Sequence, residues 1–206
     1  METTTKATTT IIKESMSRAM DYQQYRELVS DLASKGLSTG PNQTEALTNY
    51  TTLNDKRMRR WDKTLKMDEA TVEAISKVKT KTTWLVLTES WCGDASPSLP
   101  VMNKISELNP NITVKIVLRD ENLELMDRFL TNGGMSIPKL IAIDEESDAV
   151  VGDWGPRSNA ATKLVEDYKA EHGTLTAEFK QDLQVWYNKD KGQSVFADLT
   201  QLLALE

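Results

Sequence analysis

A single cysteine, a single histidine and no long hydrophobic run set the first limits on this chain of 206 residues. With Cys92 alone, neither an intramolecular disulfide nor a multi-cysteine metal site can form. With His172 alone, a Cys-His or Ser-His pair requires two distant segments to meet. No ligand set neighbours His172, and no metal site is expected. The longest apolar stretches, such as 139–143 and its surroundings, fall far short of the ~20 residues a membrane span needs. The opening METTTKATTT has six threonines and no apolar core of the kind a secretory signal carries. Basic residues are also in deficit. Against 31 Asp and Glu stand 25 Lys and Arg, a net charge of -6 that argues against nucleic-acid binding through overall charge. What is present, 39% hydrophobic and 27% charged residues with a mean hydropathy of -0.47, suits a soluble globular protein. The reducing cytoplasm is the expected compartment.

Residues 1–10 read as a frayed, disordered tail with nothing to bury. An apolar stripe then runs through Ile12, Met16, Met20, Tyr25, Leu28 and Leu32 at helical spacing, until Gly36 and Gly40-Pro41 break it. Asn42 followed by Glu45 predicts a capping box for a second helix bearing Leu47, Tyr50, Leu53, Met58, Trp61 and Leu65. Asp68 can cap a third helix with Val72, Ile75 and Val78. At Thr82 the pattern changes. TTWLVLTE is a β-rich run, a turn at 90–95 leads into a helix, and ITVKIVL alternates as a half-buried strand does. A helix from Asn122 to about Leu130 ends at Gly133-Gly134, and two strand-like runs, KLIAID and AVVGDW, flank the turn EESD. Helices over 160–168, 179–187 and 196–203 complete the chain. The order is helices, β-α-β-α-β-β, helices, which implies a mixed sheet with two parallel neighbours followed by a hairpin.

The chemically informative segment is Trp91-Cys92-Gly93-Asp94-Ala95. A strand delivers the chain to a cysteine at a helix start, where free N–H groups and the helix dipole favour a thiolate. Pro100 sits inside that helix and should kink it. Ile137-Pro138 enters a strand after Asn132-Gly133-Gly134 and is a candidate cis bond.

These residues carry a resemblance. WLVLTESWCGDASPSLP resembles the active-site strand and helix of thioredoxins, and SIPKLIAID resembles their cis-proline strand. WCGDA, RDEN, ELMDRFLTNGG, SIPKL and WGPR together are similar to a bacterial branch of the thioredoxin superfamily with helical extensions at both ends. The resemblance implies an α/β fold: a thioredoxin-like mixed sheet over 82–157, with an N-terminal helical extension over 11–81 and a C-terminal one over 158–206, packed as one unit. It also implies that Trp154 and Arg157, in the loop after the last strand, lie near Cys92, either shaping a substrate groove or, for Trp154, covering the sheet edge.

The departures decide the chemistry. Where a dithiol thioredoxin has its second cysteine stands Ala95. Where it has its buried acid stands Val86, and Asp94 replaces the usual proline. A dithiol reductase mechanism is excluded. A monothiol remains: Cys92 as nucleophile, exchanging with a protein disulfide or a low-molecular-weight thiol. The competing readings are a redox-inactive binding module and a thiol-based oxidation sensor. The expected surround of Cys92 is Trp91, Gly93, Asp94, Ala95, Arg119, Ile137, Pro138 and Trp154. Arg119 stands at the end of the neighbouring strand, where its charge can offset Asp94. No cofactor, nucleic acid or membrane enters this reading, and no feature specifies an oligomer. The basic cluster Lys56, Arg57, Arg59, Arg60, Lys63 and Lys66 reads as a solvated helix face, His172-Gly173 as a helix end, and Trp186-Tyr187 as part of a core-facing stripe.

Overall fold

The computed structural model describes residues 6–204. Four helices come first: α1 (Thr8–Met16), α2 (Tyr22–Lys35), α3 (Glu45–Thr64) and α4 (Glu69–Ser76). Then follow β1 (Thr82–Thr88), α5 (Ala95–Leu108), β2 (Ile112–Leu118), the single turn α6 (Leu123–Met126), β3 (Lys139–Asp144) and β4 (Val150–Trp154). The chain closes with α7 (Asn159–His172), α8 (Ala177–Asp190) and α9 (Gln193–Leu203). The sheet order is β2-β1-β3-β4. β1 runs parallel to β2 and antiparallel to β3, and β3 pairs with β4 as a hairpin. This is the mixed α/β sheet with helical extensions that the sequence implied.

β1 is central and buried at every residue, which is why TTWLVLT reads as a continuous run rather than an alternation. Trp84, Leu85 and Leu87 pack in one core with Leu99, Met102 and Ile105 of α5, Tyr25 of α2, and Phe196 and Leu199 of α9. The extensions thus contribute to the same hydrophobic cluster as the sheet. Among the described residues no helix is long and apolar enough to cross a membrane.

The N-terminal region differs from the expectation in three ways. Residues 1–5 of the expected tail lie outside the described residues, and from Thr8 the remainder is already helical. The stripe from Ile12 to Leu32 is two helices, not one. Met20 leaves the helix to exchange both backbone hydrogen bonds, each 2.8 Å, with Ile116 on the outer edge of β2. Helical periodicity cannot register one residue diverted to cover a strand edge, whose free N–H and C=O groups need partners. Asp21 then restarts the chain with a capping box to Gln24. At α3 the cap is Thr44, whose hydroxyl accepts from the Leu47 amide, rather than Asn42. The residue between them, Gln43, ties the preceding turn together through Ser38 and Gly40. Asp68 caps α4 through the Thr71 amide. The helix expected from Asn122 to Leu130 shrinks to α6, behind a tight turn at Arg119–Glu121.

α2 and α3 are joined by a buried charge network. Arg26 bridges Asp55 at 3.2 Å and Asp62 at 3.2 Å, and Asp55 also holds Arg59 at 2.7 Å. Removing Asp55 leaves the buried Arg26 with only the partly exposed Asp62 as its carboxylate partner. Asp55→Ala is therefore expected to lower stability by about 3 kcal/mol in urea unfolding. Removing the exposed pair Lys77–Glu73 by Lys77→Ala should change it by less than about 0.5 kcal/mol.

Candidate functional site

The site begins where β1 runs out of apolar residues. Thr88, Glu89 and Ser90 are all buried; the Ser90 groups and Glu89 Oε1 find partners inside the protein, whereas Glu89 Oε2 and Thr88 Oγ1 have no hydrogen-bond partner among the described residues. Ser90 is gripped by the N-terminal extension. Its amide donates to Thr39 Oγ1 at 2.8 Å, its hydroxyl accepts from the Thr39 amide at 2.9 Å and meets Thr51 at 2.8 Å, and its carbonyl accepts from Asn54 at 3.0 Å. Glu89 Oε1 accepts from the Asp120 amide at 2.9 Å. Burial pushes the Glu89 carboxyl up, against the lowering pull of Thr39 and that amide. A turn closed by the Cys92 amide on the Glu89 carbonyl then leads to Cys92.

Cys92 is 7% exposed, and its Sγ donates to the Ile137 carbonyl at 3.2 Å. The Ile137–Pro138 peptide is cis. The sequence expectation was a thiolate favoured by the helix start, and the structure corrects it. Burial, followed by the charge of Asp94, pushes the thiol up to about 12, while the Ala95 and Asp94 amides and Arg157 pull it down less strongly. Ala95 is buried in the position of the absent second cysteine, and Val86 is buried in the sheet.

Arg119 does not offset Asp94. It pairs with Asp120 at 2.8 Å and lies over the Trp91 ring at 5.0 Å. Arg157 takes that part, with its guanidinium 2.6 Å from Asp94. Asp94 itself stands at the N-cap of α5 without making a side-chain cap bond, because its carboxylate is turned toward Arg157 and toward the Tyr187 hydroxyl, which donates to it at 3.0 Å. Gln184 donates to the Gly93 carbonyl at 3.4 Å. Trp154, at the end of β4, donates its indole N–H to Asp198 of α9 at 3.1 Å.

Gly155 explains how Arg157 reaches the site. Its φ is +117°, and a Cβ there would lie 2.2 Å from the Pro138 carbonyl oxygen. Only glycine permits the loop after β4 to lie against the proline loop backbone to backbone. Gly155–Pro156 is also cis.

Three contributors escaped the sequence reading. Glu89 carries only the weak signal of an acid at the end of an apolar strand. Ser90 carries none. Tyr187 fitted a core-facing stripe, and its ring is indeed buried, but a periodicity argument does not say where the hydroxyl ends. The basic cluster on α3 is partly engaged: Arg57 bonds Asn54, Arg59 holds Asp55, and Arg60 bonds Asn188 of α8. His172 is exposed at the end of α7 beside the Tyr168 ring. Among the described residues no cluster of three His, Cys, Asp or Glu side chains could hold a metal.

The family described as thioredoxin matches residues 40–169, a span that begins ahead of α3. Among solved structures, a protein of unknown function from Pseudomonas aeruginosa is similar, with 20% identity and a TM-score of 0.58 over 74% of this chain and 83% of that one. An HIV epitope scaffold is similar with 15% identity and a TM-score of 0.57, over 90% of this chain and 98% of that one. Both likenesses concern the fold alone. No curated protein matches the chain.

Two outcomes follow from the geometry. The difference in thiolate absorbance between the native protein and Cys92→Ala should show no ionisation step below pH 10. The unfolded thiol ionises near its ordinary value of 9.0, so the stability Cys92 contributes is complete below that pH and is lost as pH rises toward 12. Gly155→Ala should cost roughly 2 kcal/mol or more in urea unfolding, because strain and a backbone clash coincide there.

Proposed function

The chain belongs to the thioredoxin family, and on that premise we propose that it is a monothiol protein of thiol–disulfide exchange, with Cys92 as its nucleophile. The observation that supports this reading best is the placement of Cys92 Sγ between the first amides of α5 and the Ile137 carbonyl of the proline loop. Main-chain groups on that loop can pair with an extended disulfide-bearing segment by strand addition. Cys92 loses its proton and attacks one sulfur of the disulfide. A mixed disulfide forms, and the other sulfur leaves as a thiolate. With Ala95 in place of a second cysteine, a low-molecular-weight thiolate must then attack the mixed disulfide and release Cys92. A reducing compartment such as the cytoplasm supplies that thiol. The protein is not a dithiol disulfide reductase in this reading.

A second reading, a redox-silent binding module, draws on the burial of the thiol and its raised pKa. Intact mass after incubation with oxidised glutathione separates the two. Exchange predicts a slowly accumulating adduct of one glutathione per chain, absent from Cys92→Ala and released by added small thiol. No adduct on the native chain, with full modification of the unfolded chain, would favour the binding module. Ala95→Cys should acquire an internal disulfide yet remain a poor reductase, because Val86 cannot assist proton transfer.

A further inference from the structure

We infer that α8 is a displaceable cover over the Cys92 turn, and that a disulfide substrate reaches Cys92 only when α8 lifts. The exchange reading above is needed for what the opened site does, but not for the cover itself.

α8 lies on the residues that follow Cys92. Gln184 meets the Gly93 carbonyl at 3.4 Å and the Tyr187 hydroxyl meets Asp94 at 3.0 Å. These are the groups an incoming substrate would have to approach. The hold on them is light. Of the 14 residues of α8 only Leu183 and Tyr187 are buried, whereas the 11-residue α9 buries Val195, Phe196, Leu199, Leu202 and Leu203. The remaining attachments are the half-buried Phe179 and Trp186 at the margin of the core, Phe179 stacked on Tyr168 of α7 at 4.0 Å, together with polar contacts from Arg60 of α3 to Asn188 and from Ser194 of α9 to Asp190. Water can replace each polar contact on opening, so the net cost of lifting the helix is small beside that of unfolding the core.

The ends of α8 are built as joints. Gly173 before it has φ +76°, and Lys191 and Gly192 after it have φ +56° and +79°. Gly192 is packed against Leu65 and Val101, which anchors the α9 side of the joint. Lifting α8 takes the Tyr187 ring and hydroxyl from the site and lets water reach Cys92. That relieves the burial that keeps the thiol protonated. Asp94 keeps Arg157, so the turn itself stays charge-balanced. The apparent affinity for substrate is then reduced by the fraction of molecules that are open.

The test is the rate at which iodoacetamide modifies Cys92 in the native, full-length protein, read by intact mass alongside urea unfolding. Tyr187→Phe keeps the buried ring and removes only the hydroxyl. It should label about tenfold faster than the parent protein, and Tyr187→Phe with Gln184→Ala faster still. The ratio to the parent should be the same at pH 7 and pH 9, as expected if opening rather than thiol acidity has changed. Labelling should be nearly independent of urea below the unfolding transition, as local opening exposes little surface. Unchanged labelling in both variants would overturn the cover. So would an acceleration that only tracks a lower unfolding midpoint. Faster iodoacetamide labelling without any glutathione adduct would leave the cover standing and remove the exchange reading. Glutathione adducts forming equally fast in parent and variants would do the reverse.

Discussion

A carboxylate cannot be removed from water without partners, and Asp94, with a side chain 13% exposed, has been removed almost completely. Its two partners come from separate parts of the chain. Arg157 arrives on the loop after β4, and Tyr187 on a helix of the C-terminal extension. One buried charge thereby ties the start of α5, the end of the sheet and α8 around Cys92. The same charge disfavours a second one beside it, which is part of why the thiol stays protonated. Arg157 and the α5 amides oppose this without prevailing, because desolvation of the sulfur is the larger effect.

The N-terminal extension does for the strand end what the C-terminal extension does for the helix start. A central strand must hand its polar residues to something when its apolar run ends. Thr39, Thr51 and Asn54 receive Ser90, while the Asp120 amide receives Glu89. The Cys92 turn is consequently held from both sides by elements outside the sheet. Met20 plays a related part at the other end, closing the β2 edge that the sheet would otherwise leave unpaired. Both extensions are thus structural parts of the site and the sheet, consistent with a family match that starts before α3 and runs into α7.

Much of this was legible in the sequence where one local rule dominated. β1 announced itself by an unbroken apolar run, β2 by alternation, α4 by Asp68, and the turn after β1 by its Trp-Cys-Gly. The readings that failed were those in which two rules competed. The stripe through Met20 obeyed helical spacing while a strand edge claimed the residue. Asn42 with Glu45 matched a capping box, while in the fold Gln43 ties the preceding turn and Thr44 caps the helix. Arg119 was expected to offset Asp94 and Arg157 only to lie near Cys92, and the geometry of the Gly155 approach brings Arg157 to Asp94 instead.

The sequence by itself determined the order of elements, the mixed sheet, the position of Cys92 at a helix start, and the absence of a second thiol at Ala95. Each of these is a matter of periodicity, backbone chemistry or inventory, which neighbours in the chain decide. The state of Cys92 was decided only in the tertiary structure. A thiol's acidity depends on how much water reaches it and which charges stand nearby; Asp94, which raises it, is local, but the burial and the opposing Arg157 are brought by the fold, as is the Ile137 carbonyl that accepts from Sγ. Local sequence favoured a thiolate. Burial, with Asp94 beside it, favours the thiol.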